Sequence, residues 1–259
     1  MAEHPWPDQG GPDLDAGAAL RAAATAGDFF DLTGPHRDPA AGWRPLRDLV
    51  DDAAAMAEVV AAGRRAMARI GAVPPSAVEP RAAASVLFLG LAARLVAAPI
   101  GAAVLGGAVP LLTLDDVLWR PHDRGSPVLV AGPARAVPTD HPEQAAMLIR
   151  RFTVDGAVRP LLESFRLACR ISPRVLWGNV ASAVGGAVQV LVSAAPDRAP
   201  TAVSIGRRLL DLGQLAGTTQ PLPPDAGRWP PRRRSCCLLY RVPGAGICTD
   251  CVLSRLPGG

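Results

Sequence analysis

Several residue types that often reveal a function are scarce or missing in this chain of 259 residues. It contains no lysine, so all 27 basic side chains are arginine, and its formal net charge is only +4. Because no long run of like charge occurs, the composition argues against a polybasic nucleic-acid-binding protein. The first residues also lack the basic and apolar regions of a secretory signal. We therefore expect a cytoplasmic protein, in which thiols stay reduced.

The common signatures of nucleotide and acid–base chemistry are missing as well. No glycine-rich stretch follows a strand and opens a helix, as a phosphate-binding loop requires. No serine, histidine and aspartate arrangement stands out, and the histidines are scattered over loops and helix starts. We therefore expect an activity that needs little acid–base machinery. The histidines are His4, His36, His122 and His141.

One uncharged stretch, residues 95–114, has about the length of a membrane-spanning helix. It contains Pro99, Pro110 and several glycines, and it ends directly in Asp115. A buried helix, a glycine turn and a strand explain this pattern better than a transmembrane span. We therefore expect no stable membrane insertion.

Apolar residues that recur every three or four positions predict a mainly helical protein. Short β-leaning runs between residues 110 and 135 predict a strand pair or meander. The expected fold class is thus mainly α with a small β element (α+β). We predict an N-terminal extension over 1–45 that is partly disordered, a helical body over 46–222, and a proline-rich linker with a cysteine-rich segment over 223–259. The predicted helices span 14–26, 46–70, 79–98, 140–151, 157–171, 173–192 and 200–215.

Four of the five cysteines lie close together near the C-terminus, at Cys236, Cys237, Cys248 and Cys251. In a reducing compartment such a group indicates a metal site rather than a disulfide framework. Four thiolates suit either a structural zinc ion or an iron–sulfur cluster. Adjacent cysteines point their side chains apart, which is easier to accommodate on a two-iron cluster than on one zinc ion. The spacing C-C-x10-C-x2-C therefore favours iron and sulfur.

The charges around these cysteines agree with a centre that gains an electron. Residues 226–249 contain five arginines and no acidic residue. Positive charge lowers the free-energy cost of adding an electron to an anionic cluster. A run of arginines is equally often a solvated surface, so charge alone leaves their role open. The arginines are Arg228, Arg232, Arg233, Arg234 and Arg241.

The stretch "RRSCCLLYRVPGAGICTDC" resembles the C-terminal signature of the FhuF-type ferric siderophore reductases. A second stretch, "LWGNVASAVGGAVQVL" at residues 176–191, is similar to a W-x-N-x-A-S helix of that family. The resemblance extends over roughly residues 50–253 but is specific only at these two places. Val252 and Thr249 stand where the family commonly has proline and glycine, and neither is one of the four cysteines.

The resemblance implies that Cys236, Cys237, Cys248 and Cys251 bind a 2Fe–2S cluster in a C-terminal cluster-binding segment. It implies a one-electron reduction of ferric iron held by a siderophore, with a hydroxamate-type chelator expected, and release of ferrous iron in the cytoplasm. The partners would be the ferric siderophore and a protein electron donor resembling a ferredoxin. No catalytic side chain is expected beyond the cluster ligands.

Five further residues are weaker candidates for docking the substrate or a partner: Arg232, Arg233, Arg234, Trp177 and Asn179. For Trp177 and Asn179 we favour structural support of this corner over a role in binding. Cys169 lies alone on an apolar helix and is expected to belong to the core. Two other functions stay open on the residues alone, namely a zinc-stabilised interaction protein and an iron–sulfur redox sensor without reductase activity.

Overall fold

The computed structural model describes residues 14–34, 42–122, 125–220, 229 and 231–253. Within these residues the protein is mainly helical with small antiparallel sheets, so the predicted fold class is confirmed. The predicted partial disorder of the 1–45 extension falls in part on residues 1–13 and 35–41, which lie outside the described residues. The helices are α1 Gly17–Ala24, α2 Asp48–Asp51, α3 Ala53–Ile70, α4 Pro80–Gly106, α5 Pro142–Leu148, α6 Arg159–Cys169, α7 Pro173–Ala194 and α8 Ala199–Leu210.

Helix α4 forms the centre of the molecule and contacts α1, α3, α6 and α7. It is apolar on all sides because it is surrounded by other elements on all sides. The expected end near residue 98 is wrong: the helix continues through Pro99 to Gly106. Gly107 then adopts a left-handed conformation with φ +67°, which ends the helix and leads into a strand.

Two other predicted helix boundaries also differ from the structure. The helix expected over 46–70 is interrupted at Asp52, whose extended backbone separates α2 from α3. The Asp52 carboxylate accepts a hydrogen bond from Ala54 N at 2.8 Å and so caps α3. The helices expected over 140–151 and 157–171 form one continuous body, because a π-helix, Ile149–Val158, joins α5 to α6.

The strands form two antiparallel sheets in the described part of the chain, each with three strands. The order in the first is β1-β6-β3 and in the second β2-β4-β5. The prediction of a strand pair or meander over 110–135 therefore found the region but not the two sheets. The strands are β1 Leu14–Asp15, β2 Arg44–Pro45, β3 Ala108–Pro110, β4 Val117–Arg120, β5 Val128–Ala131 and β6 Arg135–Pro138.

Residues near the N-terminus belong to the main core. Helix α1 lies against α4, where Gly106 permits close approach because a Cβ there would come within 2.8 Å of Ala19 Cα. Phe30 and Leu32 are also buried. The predicted domain boundaries remain predictions, but buried residues between Ala16 and Leu32 share one hydrophobic core with the helical body.

Helices α4 and α7 are long and apolar enough to cross a membrane by length and composition. Their most apolar windows are 72% and 61% buried inside the protein, and the two helices pack against each other. Burial in a protein core accounts for such a composition without a lipid bilayer.

Candidate metal centre

The cysteine segment, which we define as residues 231–253, is tied to the body at its start. Thr219 and Arg233 form an isolated antiparallel bridge. Gln220 N donates to Arg232 O at 2.7 Å, and Arg234 N donates to Thr218 O at 2.8 Å. These backbone bonds fix the register of the chain just before Cys236.

The four thiols of the segment differ in exposure. Cys237 and Cys251 are buried, whereas Cys236 and Cys248 are partly exposed. The Sγ atoms of Cys237 and Cys248 lie 3.5 Å apart. Two sulfurs bound to one tetrahedral metal at ~2.3 Å would lie about 3.8 Å apart. This pair therefore has nearly the spacing of two ligands on one ion.

Backbone amides point at three of the four sulfurs. Leu238 N donates to Cys236 Sγ, Leu239 N to Cys237 Sγ and Leu253 N to Cys251 Sγ, each at 3.4 Å. In every case the donor lies two residues beyond the cysteine. Such N–H groups stabilise negative charge on sulfur and so favour the thiolate that a metal requires.

A sharp turn follows the adjacent cysteines. Leu238 has φ +66° and ψ 9°, a left-handed conformation that is uncommon for a residue other than glycine. A short 3₁₀ turn, Leu239–Arg241, continues from it. The strained turn allows the backbone amides of Leu238 and Leu239 to reach back to the sulfurs of Cys236 and Cys237.

The loop between the two pairs of cysteines rests on the end of α3 and the start of α4. A Cβ at Gly71 would come within 2.5 Å of Pro243 O, so only glycine permits this contact. The guanidinium of Arg241 pairs with the Glu79 carboxylate at 2.9 Å. The two contacts hold the loop against the helical body.

Arg233 is the most deeply buried charge in the described chain, with 0% of its surface exposed. Its Nη1 donates to Asn179 Oδ1 at 3.1 Å, and its Nη2 donates to Cys248 Sγ. Its Nε lies 3.3 Å from Asp250 Oδ2 and has no hydrogen-bond partner there. The guanidinium thus joins α7 to Cys248 and Asp250 of the Cys248–Cys251 turn.

Asn179 and Ser85 extend this contact to the first pair of cysteines. The amide of Asn179 donates to the backbone and hydroxyl oxygens of Ser85, both at 3.0 Å. The Ser85 hydroxyl donates to Cys237 O at 2.8 Å. Asn179 and Ser85 are both fully buried. We call Ser85, Asn179, Arg233 and Asp250 the polar relay, because together they connect the two halves of the cysteine segment through α4 and α7.

The relay and the thiols influence each other's protonation. The pKa of Cys237 is lowered to about 6, first because the Cys248 thiol donates to it and then because Arg233 is close. The pKa of Cys248 is raised, first because its proton is held in that bond. Burial opposes the charge of Arg233, but the neighbouring Cys237, Asp250 and Cys248 together raise its pKa. The arrangement thus favours a thiolate beside a permanent cation.

The structure places the other candidates as follows. Arg232 and Arg234 are exposed on either side of Arg233. Trp177 is 9% exposed and belongs to the core, so it and the buried Asn179 turn toward the protein rather than toward solvent. Cys169 is partly buried against the core, and burial raises the pKa of its thiol.

Three residues of the site were not predicted from the sequence: Ser85, Asp250 and Glu79. Ser85 stands out afterwards as a hydroxyl in an otherwise apolar stretch of α4, and Asp250 lies between two cysteines. Neither feature shows which residue the side chain contacts. Ser85, for example, is 152 residues from Cys237 in the sequence. Glu79 is an ordinary helix-start carboxylate in the sequence.

Among the described residues, no three His, Cys, Asp or Glu side chains converge on a point that would hold a single metal ion. The four thiols are grouped by their segment and by the Cys237–Cys248 contact. Their chemistry fits a 2Fe–2S cluster: four soft donors, amides directed at three of the sulfurs, and a buried cation at the fourth.

Comparison with known proteins gives one family match. Residues 233–253 match the family model described as the FhuF 2Fe-2S C-terminal domain. This match covers the whole span from Arg233 to Leu253, and therefore all four cysteines and Asp250. The search of curated proteins found no match to the chain. The cofactor of the segment is accordingly a 2Fe–2S cluster.

Proposed function

We propose that this chain is a member of the FhuF-type family, because residues 233–253 match the 2Fe–2S C-terminal domain of that family, and that it reduces siderophore-bound ferric iron. The observation that carries the proposal is the match over residues 233–253, in which four thiols stand on a segment that is fixed to the body. Hydroxamate chelators are the expected type of siderophore. The proposed place of reaction is the cytoplasm.

We assign Cys236, Cys237, Cys248 and Cys251 as the cluster ligands. When bound, the cluster supplies a one-electron couple. Cys237 and Cys251 are buried and keep water from one side of the site. Cys236 and Cys248 are partly exposed, so the other side of the site lies at the protein surface. Ser85 and Asn179 hold Cys237 and Arg233 in place. These features suit electron exchange with a partner that does not enter the protein.

The reaction balances with one electron for each iron. A protein donor of ferredoxin type supplies the electron, and the chelated ferric ion accepts it and becomes ferrous. Hard oxygen ligands bind ferrous ion more weakly than ferric ion, so the iron dissociates without hydrolysis of the chelator. No proton transfer or nucleophile is needed. This agrees with the scattered histidines, none of which lies in the cysteine segment.

Steady-state reduction tests the proposal. The protein, purified without oxygen and supplied with a reductant, is mixed with a ferric hydroxamate, and ferrous ion is captured by a coloured chelator. We expect the wild type and Ser193→Ala, which changes an exposed side chain outside the cysteine segment, to produce ferrous ion faster than the reductant alone. Cys251→Ala is expected to fall to the background rate. Equal rates for wild type, Cys251→Ala and reductant alone would contradict reductase activity.

A redox sensor is the second candidate, because a cluster near the surface also serves sensing. The same assay separates the two functions. A sensor would bind the cluster through the same cysteines but would not speed the production of ferrous ion.

A further inference from the structure

The polar relay contains a charge whose placement differs from that of its neighbours. Arg232, Arg233 and Arg234 are consecutive, yet only Arg233 is buried, at 0% exposure, while both neighbours are exposed. A buried charge is costly unless other charges and hydrogen bonds compensate it. Asp250 supplies one compensating charge. The other charged contacts are Cys237 and Cys248, which we assign as cluster ligands.

The position of the guanidinium is fixed from several directions. Asn179 accepts from Nη1, Cys248 accepts from Nη2, and the backbone of Arg233 is bridged to Thr219. Asn179 is itself held by Ser85 on α4. The cation therefore cannot swing away from the sulfur when the charge of the centre changes.

We propose that Arg233 is a positioning residue that raises the reduction potential of the cluster, and that Arg232 and Arg234 do not share this role. A fixed cation in contact with a ligand sulfur stabilises the state with the extra electron. Because the site is buried, dissolved salt screens this interaction weakly. Salt screens the exposed neighbours strongly, so their contribution is small. The inference rests on the ligand assignment and needs no siderophore or reductase activity.

Redox titration of three matched variants tests this role. Arg233→Gln, Arg232→Gln and Arg234→Gln each remove one positive charge from consecutive positions. The midpoint potential is followed by visible absorption at low and high salt. We expect Arg233→Gln to lower the midpoint potential more than Arg232→Gln or Arg234→Gln does. The shift in Arg233→Gln should persist at high salt, whereas the smaller shifts in the other two variants should shrink. Equal shifts for all three variants, or no shift in Arg233→Gln with full iron and sulfide content, would overturn the proposal.

Arg233→Lys keeps the test decisive if Arg233→Gln binds no cluster. Lysine retains the charge but cannot contact Asn179 and Cys248 through a planar fork. We expect Arg233→Lys to bind the cluster with a potential near that of the wild type. A cluster-loaded Arg233→Lys protein whose potential lies far below the wild type would show that charge at this position does not set the potential.

A second observation concerns an open cavity of about 810 Å³ between α3, the start of α4 and the end of α6. Its floor includes Met56, Val60 and Cys169. Four arginines line the cavity. The only carboxylate among its lining residues, Glu79, is paired with Arg241 of the cysteine segment. Three of the arginines are exposed and have no ion-pair partner among the described residues. The four are Arg64, Arg65, Arg81 and Arg170.

From this charge we infer that the cavity binds the ferric chelate and prefers complexes with a net negative charge over cationic ones. The inference rests on the proposed function and names the class of its substrate. An apolar floor with a positive wall matches a ligand that has an organic backbone and an anionic surface. The Glu79–Arg241 pair places the cavity beside the loop that joins Cys237 to Cys248.

Binding of gallium(III) complexes tests the cavity without any reduction, because gallium(III) does not accept an electron under these conditions. Calorimetry compares an anionic carboxylate–hydroxamate complex with a cationic trihydroxamate complex. We expect about tenfold tighter binding of the anionic complex. We also expect Arg81→Glu to abolish this preference, and Arg208→Glu on α8, which does not line the cavity, to keep it. Equal affinities for both complexes, or an unchanged preference in Arg81→Glu, would overturn the inference. If these binding results overturn the inference but the protein still produces ferrous ion in the reduction assay, the proposed function is unaffected.

Discussion

At the scale of single residues, the centre depends on a few polar groups placed in apolar helices. Ser85 on α4 and Asn179 on α7 are both fully buried, and each satisfies the other. Removal of one member leaves its partners buried without hydrogen bonds, which costs more than the bond itself contributes. The relay is therefore sensitive to substitutions that change little volume.

Ser85→Ala is expected to lower the free energy of unfolding by about 1–3 kcal/mol, because Cys237 O loses the donating hydroxyl and the Asn179 amide loses one of its two acceptors. It should also speed the loss of iron to a chelator. Ser193→Ala is the control, since Ser193 is exposed and bonds only to its own helix. Denaturant unfolding and the rate of bleaching measure the two effects. Equal behaviour of both variants would contradict a role for the relay.

Gly178 allows the cysteine segment to approach α7. A Cβ at this position would come within 1.9 Å of Ser235 Oγ. Gly178→Ala is expected to lower stability by about 1–3 kcal/mol through overpacking. Gly186→Ala on the same helix has nothing within 4 Å and should stabilise by up to about 1 kcal/mol.

Ser235→Ala added to Gly178→Ala tests the cause of this loss, because it removes the clashing hydroxyl. Thermal unfolding of both single variants and the double variant gives the coupling free energy between positions 178 and 235. Recovery of most of the lost stability is expected. A double variant as unstable as the sum of its single variants would show that the contact with Ser235 is not responsible.

At the scale of elements, helices with a continuous apolar pattern were predicted from the sequence. The apolar runs of α4 and α7 indicated buried helices, and Pro173 marked the start of α7. The course of α4 through Pro99 was not predictable from these patterns, because surrounding elements stabilise a helix that proline alone disfavours. The π-helix 149–158 has no periodic signal in a short stretch. The paired strands β1 and β2 have two residues each, too few for an alternating pattern.

Asp52 caps α3, and its pKa is lowered first by the backbone amides of Ala54 and Ala55 and then by Arg44. A lowered carboxyl pKa stabilises the fold above the unfolded value, and this stabilisation disappears as the pH falls. Asp52→Ala should therefore reduce the thermal midpoint at pH 7, and the difference from wild type should narrow below about pH 4.

Asp51→Ala is the matched control for the cap, since Asp51 is an exposed neighbour that makes no capping bond. Thermal unfolding followed by circular dichroism at several pH values measures both variants. A difference between wild type and Asp52→Ala that stays constant down to pH 3 would contradict a cap that depends on the ionised carboxylate.

At the scale of the whole molecule, the helical body and the cysteine segment are stabilised differently. The main hydrophobic core is formed by the body, and none of its buried members comes from residues 231–253. Hydrogen bonds and glycine contacts hold the segment instead. The cysteine spacing favoured iron and sulfur over zinc, and the resemblance to the FhuF-type family implied the 2Fe–2S cluster. The polar relay was not predictable, because its contacts join residues far apart in the chain.

Loss of the cluster should therefore leave the body folded. Cys236→Ser combined with Cys251→Ser is expected to keep the helical circular dichroism of the wild type while the thermal midpoint falls. Limited proteolysis should cut the variant within residues 231–253 first, with the loaded wild type as control. Loss of helical signal in the variant at room temperature would show that the body depends on the centre.

The most direct test of the central claim is a single-turnover experiment by electron paramagnetic resonance. The protein is reduced, freed of excess reductant and mixed without oxygen with one equivalent of ferric hydroxamate. We expect the signal of the reduced cluster to disappear and one ferrous ion to form for each cluster, whereas the gallium(III) complex should leave the signal unchanged. A signal that persists in excess ferric siderophore would contradict the account.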